Sequence, residues 1–184
     1  MLGRQFDRIA WVSRQSEDHG SGGDFALERE VWTKVKTACI RYGNEAAQKR
    51  AFRNTVFVGR YREGEEHTPE FEAILEAAFE IFLDIENVAH LVPTYEMSKA
   101  EYIALLYAKE MIHARISYMA DANYFITEKG YMGRGRSGTE VGDQVCILCG
   151  GKVPFILREN TNIGVWVLVG ECCKSFYLGL AILL

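Results

Sequence analysis

The chain has 184 residues, 48% of them hydrophobic and 12% aromatic, with a net charge of −4 and a pI near 5.6. That composition supports a core without disulfides, and the acidic balance excludes a general electrostatic attraction to nucleic acid or anionic membrane. The five cysteines, with Cys172 and Cys173 adjacent, are unlike a secreted disulfide framework, and the first twelve residues lack the apolar stretch of a secretory signal.

In chain order, Phe6, Ile9, Trp11 and Val12 are candidates to dock on an apolar surface, and the glycine-rich stretch Ser16 to Asp24 reads as a loop. From Phe25 to about Tyr61 apolar residues recur at three- and four-residue steps (Phe25, Val31, Trp32, Val35, Ala38, Cys39), which predicts a helix. A polar break follows from Arg62. Thr68-Pro69-Glu70-Phe71 then opens a second helix carrying Phe71, Ile74, Leu75, Ala78, Phe79 and Phe82. His90 to Pro93 breaks it. Ser98 to Glu101 matches a capping box, in which the serine accepts a backbone N–H while the glutamate reaches back, and the third helix runs to about Met119.

The character changes at Asp121. Short β-branched and aromatic runs punctuated by glycine predict antiparallel hairpins around Tyr124–Thr127, Val145–Leu148, Lys152–Leu157 and Val165–Val169. Pro154 marks the third as an edge strand or bulge. Gly130, Gly133, Gly142, Gly150, Gly151 and Gly170 are placed to permit positive φ or close backbone approach. Asp143, after Gly142, is expected to bond backbone N–H groups two residues on. Glu171 would need a partner if buried, with Arg134 or Arg158 as candidates. The fold class is therefore α+β: a mainly helical region over 1–121 and a small glycine-rich antiparallel sheet or barrel over 122–184, ending in the apolar run Phe176–Leu184. That run is too short to span a bilayer, so the expectation is a soluble cytoplasmic protein.

Several chemical readings compete with bland ones. Cys146, Cys149, Cys172 and Cys173 supply four thiolates, yet residues three apart on a strand point to opposite faces, so buried core thiols outweigh a zinc site. The loop Gly130 to Gly138 carries Arg134 and Arg136 as fork donors for an anion but lacks the ending of a phosphate-binding loop, and a solvated hairpin loop outweighs it. Lys129, Lys152 and Arg158 would extend such a surface toward RNA, with nucleic acid the disfavoured partner. The four histidines and the serines form no triad, Glu76 to Glu86 reads as a solvated helix face, and Trp11, Trp32 and Trp166 read as core. No catalytic residue, metal or cofactor is expected.

The ordered motifs Asn123-Tyr-Phe-Ile-Thr, Gly130-Tyr131-Met-Gly133, Gly142-Asp143, Gly150-Gly151-Lys-Val-Pro154-Phe155-Ile-Leu-Arg158 and Leu168-Val-Gly170-Glu171-Cys172 resemble the C-terminal region of fungal heterokaryon-incompatibility (HET) family proteins. The family's N-terminal blocks, with their Trp-Gly and Asp-x-x-Cys-Ile-Asn-Gln motifs, are absent. After Cys172 this chain also departs from the family's Tyr-x-His-Gly-x-Met-like continuation. The resemblance implies a non-catalytic recognition or regulatory region in fungal non-self recognition and programmed cell death, acting through a protein partner. A small anion- or RNA-binding module and a truncated remnant without activity are the alternatives.

Overall fold

The computed structural model describes residues 3–13, 26–57, 68–84, 93, 96–118, 122–151 and 153–172. The expected loop over 16–24, the break over 62–67, Lys152, Cys173 and the apolar run after it lie outside these residues. The chain forms two compact units interleaved in sequence: one from residues 1–15, 31–59 and 121–184, the other from 16–30 and 60–120.

The second unit contains helices α3 (Pro69–Asp84) and α4 (Lys99–Tyr118). Both starts follow local chemistry. Thr68 Oγ1 accepts the Phe71 N–H at 3.2 Å, with Pro69 in the first turn. Ser98 Oγ accepts the Glu101 N–H at 3.3 Å, while Glu101 Oε2 accepts the Ser98 N–H at 2.8 Å, completing the predicted capping box. The α3 stripe Leu75, Ala78, Phe79, Phe82 and Leu83 is buried. On α4 the buried positions include Ala104, Leu105, Ala108 and Ile112, whereas Tyr102 and Leu106 are exposed.

The single helix expected from Phe25 to Tyr61 is two. Helix α1 (Ala26–Ala38) ends in a 3-10 turn at Ile40–Tyr42, and α2 (Glu45–Phe57) begins afresh. The break is local: Gly43 adopts φ 92°, and Asn44 Oδ1 caps α2 by accepting the Ala47 N–H at 2.9 Å. The Gln48 amide donates to the Cys39 carbonyl at 3.1 Å, which also accepts the Tyr42 N–H at 3.2 Å, so α2 is tied to the 3-10 turn.

Six strands form one antiparallel sheet in the order β3-β2-β1-β4-β5-β6. They are β1 (Gly3–Val12), β2 (Ala122–Thr127), β3 (Met132–Arg136), β4 (Gln144–Leu148), β5 (Phe155–Asn160) and β6 (Val165–Glu171). Five follow residue 121, four of them where the sequence predicts strands; β3 lies in the segment expected as a solvated loop. The sixth, β1, comes from the N-terminal segment and lies at the centre, paired with β2 on one side and β4 on the other. Irregular register at Gln5/Asp7, Ile9/Trp11 and Ile156/Leu157 marks bulges, which bend strands and curl a sheet.

Curling encloses Ile9, Phe125, Val145, Ile156 and Cys172, with Phe6, Val12, Tyr131, Ile147 and Val169 packed around them. The convex face is covered as well: Phe52 of α2 meets the Tyr124 ring at 6.0 Å and stacks on Trp32 at 5.7 Å. Both faces of β2 are thus buried, and each large side chain removed from water contributes about 2 kcal/mol. The two edge strands turn back toward one another. A Cβ at Gly170 of β6 would stand 2.9 Å from Arg136 Cδ of β3, so the glycine leaves room for the Arg136 side chain.

Candidate functional site

The densest polar cluster sits where β5 leaves the sheet. Arg158 Nε donates to Asp143 Oδ1 at 2.8 Å and Nη2 to Asp143 Oδ2 at 2.9 Å, a two-pronged grip. Nη1 reaches Glu140 Oε1 at 2.7 Å, and Nη2 also reaches the Gly138 carbonyl at 2.6 Å. The Asp143 side chain is 2% exposed, and its Oδ2 accepts the Glu140 N–H at 2.8 Å as well. Asp143 therefore fixes its turn through the residue three positions upstream, not through N–H groups downstream as the sequence suggested. Its backbone carbonyl takes the Ile9 N–H and the Gly142 N–H donates to the Ile9 carbonyl, tying the same turn to β1.

The hydrogen bonds that Arg158 donates to Asp143, with the charges of Asp143 and Glu140, outweigh the opposing effect of burial and hold the guanidinium even more firmly protonated than an ordinary arginine. Acceptors and donors in this cluster are matched to each other. Chemically it is a lock, with its charge already answered.

What the lock holds is a projecting hairpin. β4 pairs with β5 only at Phe155, Ile156 and Leu157, whereas β5 and β6 stay paired out to Asn160 and Val165. Beyond Leu157 the two strands pair only with each other among the described strands, with Arg158 anchoring the base of the arm. The tip is closed by the Ile163 and Gly164 N–H groups donating to the Asn160 carbonyl, by the Asn162 N–H on Asn160 Oδ1 at 3.2 Å, and by Gly164 at φ 64°. Successive residues on β6 point to opposite faces. Even so, Val165, Trp166, Val167 and Leu168 are all between 44% and 56% exposed, and Ile163 at the tip is 67% exposed. Trp166, expected in the core, lies on this arm opposite Glu159.

The other residues singled out in the sequence fall apart from one another. Gly130 takes φ 78° at the β2–β3 turn, and a Cβ there would stand 3.0 Å from the Ala38 carbonyl. Beside it Tyr131 lies under the Arg41 guanidinium at 4.4 Å and against Phe6 at 4.8 Å. The segment expected as a solvated loop or anion cradle is mostly strand β3, in which Gly133 pairs with Phe125. Arg134 is buried there: it lies over Tyr124 at 4.9 Å, and its Nη1 donates to the Val56 carbonyl at 3.3 Å. Arg136 is exposed at the strand end. The two arginines do not form a common fork, and Lys129 is engaged elsewhere, donating to the Phe6 carbonyl at 2.9 Å.

Gly142 and Gly150 take positive φ as expected, while Gly43 and Gly164 are positions the sequence reading missed. Gly151 is needed for close approach, since a Cβ would stand 2.7 Å from Phe155 Cε2. Pro154 precedes β5 and does not interrupt it; its carbonyl accepts the Cys172 N–H at 3.0 Å. Glu171 is exposed and needs no buried arginine. Cys39, Cys146 and Cys172 are buried thiols, but Cys149 is exposed. Among the described residues no three His, Cys, Asp or Glu side chains are grouped to hold a metal ion, and no helix is long and apolar enough to cross a membrane.

The signal that could have revealed the arm was charge. From Asn160 to Gly170 there is no Asp, Glu, Lys or Arg, in a chain of which 25% is charged. In comparisons with known proteins, a family model described as the Het-6 beta-barrel domain matches residues 47–178. No curated protein and no solved structure matches.

Proposed function

The chain belongs to the Het-6 beta-barrel domain family, and from that premise we propose that it is a non-catalytic recognition or regulatory region of a heterokaryon-incompatibility-like protein. It acts in the cytoplasm, in fungal non-self recognition and cell death, by contact with another protein. The observation that carries this reading is the projecting hairpin Arg158–Leu168, whose β6 strand presents four consecutive half-exposed apolar side chains. Exposed apolar surface of this kind is stabilised by a partner and disfavoured in a chain that meets only water. The locked state of Arg158, Asp143 and Glu140 also supports a positioning role for the polar cluster over a reactive one.

Expression in a filamentous fungus tests the reading. The intact chain is expected to lower viability in fused hyphae of unlike genotype, and a chain carrying Gly142→Val and Gly151→Val is not. Equal viability with both chains, at equal levels of soluble protein for the intact chain and its parent strain, counts against it.

A further inference from the structure

Resting on that reading, we propose that a further contact surface lies at the end of the curled sheet where β2 turns into β3. There Arg4, Arg41 and Lys129, set around the rings of Phe6 and Tyr131, take a short acidic segment of the partner protein. The topology brings these residues to one end: Arg4 opens β1, Lys129 lies in the β2–β3 turn, and Ile147 lies at the close of β4. Arg4 and Ile147 are directly paired and so share a face. The 3-10 turn comes here too, since a Cβ on Gly130 would stand 3.8 Å from Arg41 Cβ. Phe6, Tyr131 and Ile147 are half-buried against the core, while the three cations are exposed.

Rings rimmed by cations suit carboxylates that alternate with apolar side chains. The Arg41 guanidinium lies on Tyr131 at 4.4 Å, Tyr131 meets Phe6 at 4.8 Å, and Lys129 Nζ stands 6.0 Å over Phe6. A ring beneath a guanidinium holds its plane and leaves the edge N–H groups for a carboxylate, which the planar fork grips in two places. Among the described residues neither Arg4 nor Arg41 has a carboxylate partner. The nearby acid Asp7 is buried, and its two oxygens accept the Arg8 and Lys129 N–H groups at 2.9 and 3.0 Å. Glu128 is exposed on the turn and offsets one of the three charges.

Charge distribution decides the class of partner. Residues 31–59, which include Arg41, hold six Lys and Arg against the single acid Glu45, a positive stretch in a chain of net charge −4. Residues 60–120 are the reverse, with twelve Asp and Glu against five Lys and Arg. A nucleic acid carries phosphates along its whole length, so the chain's remaining acidic residues oppose its binding. A segment of a few residues engages only the cations beneath it, because salt screens charges beyond about 8 Å. A second copy of this chain would offer its acidic helix α3, but Glu72 and Glu80 there already have partners. The ring under Arg41 also fixes the fork beforehand, so that less freedom is lost on binding.

The test uses the full chain, labelled with nitrogen-15, and a blocked hexapeptide of alternating aspartate and leucine as the probe. The same peptide with asparagine in place of aspartate is the control. The expected result is saturable movement of the Lys129–Met132 amide signals that weakens as salt is added. Arg41→Gln is expected to lower affinity roughly tenfold and Arg41→Lys severalfold, because an ammonium keeps the charge but loses the fork. Arg50→Gln, at an exposed cation of α2, is expected to leave affinity unchanged. Melting temperatures check that each chain is folded, and Arg41→Lys carries the test if Arg41→Gln is not. Absence of saturable binding overturns the proposal, as does equal binding of the asparagine peptide or an equal loss with Arg50→Gln. Stronger competition by oligothymidylate, at equal numbers of phosphates and carboxylates, would assign the surface to nucleic acid. Sedimentation of a salt-sensitive dimer that Arg41→Gln disperses would assign it to a second copy. Either outcome overturns the acidic segment without touching the fungal phenotype. Peptide binding with no phenotype would instead leave the surface standing and remove the non-self-recognition role.

Discussion

Arg158 and Asp143 stand fifteen residues apart in sequence and meet through two hydrogen bonds of 2.8 and 2.9 Å, with the carboxylate almost wholly enclosed and the arginine about a third exposed. One contact joins the turn before β4 to the strand from which the arm projects. Removing the arginine strands a buried carboxylate, which in deep sites costs about 3–5 kcal/mol. Solvent screening at the arginine reduces this to about 2 kcal/mol for Arg158→Ala. Arg158→Lys is expected to recover less than half, because an ammonium cannot make the two-pronged grip. Thermal and urea unfolding of the three chains checks both statements.

Gly130 and Gly142 both take positive φ, yet only Gly130 faces a neighbour, the Ala38 carbonyl at 3.0 Å from a notional Cβ. Gly142→Ala is expected to cost about 1 kcal/mol through backbone conformation alone. Gly130→Ala adds a contact that must give way and should cost about 2 kcal/mol. Gly135→Ala should also be destabilising without any positive φ, because its Cβ would run into Ile156 Cδ1 and Thr139 Oγ1. Denaturant midpoints rank the three.

Glu101 is held below the usual carboxylate range by its hydrogen bond to the Ser98 side chain and by the Ser98 N–H. Its folded-state value is depressed. Its contribution is therefore present above the unfolded-state pKa and is lost as pH falls through the lower, folded value. A carbon-detected titration of Glu101 should show that lower midpoint, and Ser98→Ala should move it up toward the ordinary value. The same substitution removes a cap, with an expected loss of about 1 kcal/mol at neutral pH.

Burial pushes the Cys39 thiol up to about 12 and raises that of Cys146, whereas Cys149 is exposed. Timed alkylation at pH 8 followed by peptide mass spectrometry should find Cys149 modified well before Cys39 and Cys146. For Cys39 the folded-state value is the higher one. Its contribution is present below the unfolded thiol pKa of about 8.5 and is lost as pH rises toward 12. Equal labelling rates in native protein would contradict the buried placement.

Local signals were legible wherever a few neighbouring residues decide the outcome. The caps at Thr68 and Ser98, the glycine turns at 130, 142 and 150, and the change from helices to strands near residue 121 could all be read from the chain. The order of motifs from Asn123 to Cys172 pointed to the family whose model spans residues 47–178. The division between α1 and α2 was missed although its signal was present, in Gly43 followed by Asn44.

Other features depend on partners far away in sequence. β1 concealed itself because bulges at Gln5/Asp7 and Ile9/Trp11 break the two-residue alternation that identifies a strand, and only pairing with β2 and β4 restores its sense. Arg134 read as a surface anion donor, but α2 packs over β3 and supplies Tyr124's neighbour Phe52 and the Val56 carbonyl. Arg158 and Glu171 lay on one short stretch and looked like partners, while the curl of the sheet gave Arg158 to Asp143 and left Glu171 in water. Trp166 is apolar enough for any core. Tertiary structure alone put it outside, because β4 stops beside Leu157 and the hairpin continues without it. Composition and local spacing thus determined the elements and their capping, through interactions within one turn of helix or hairpin; which faces were buried, and which hairpin was left projecting, depended on strand pairing across more than a hundred residues.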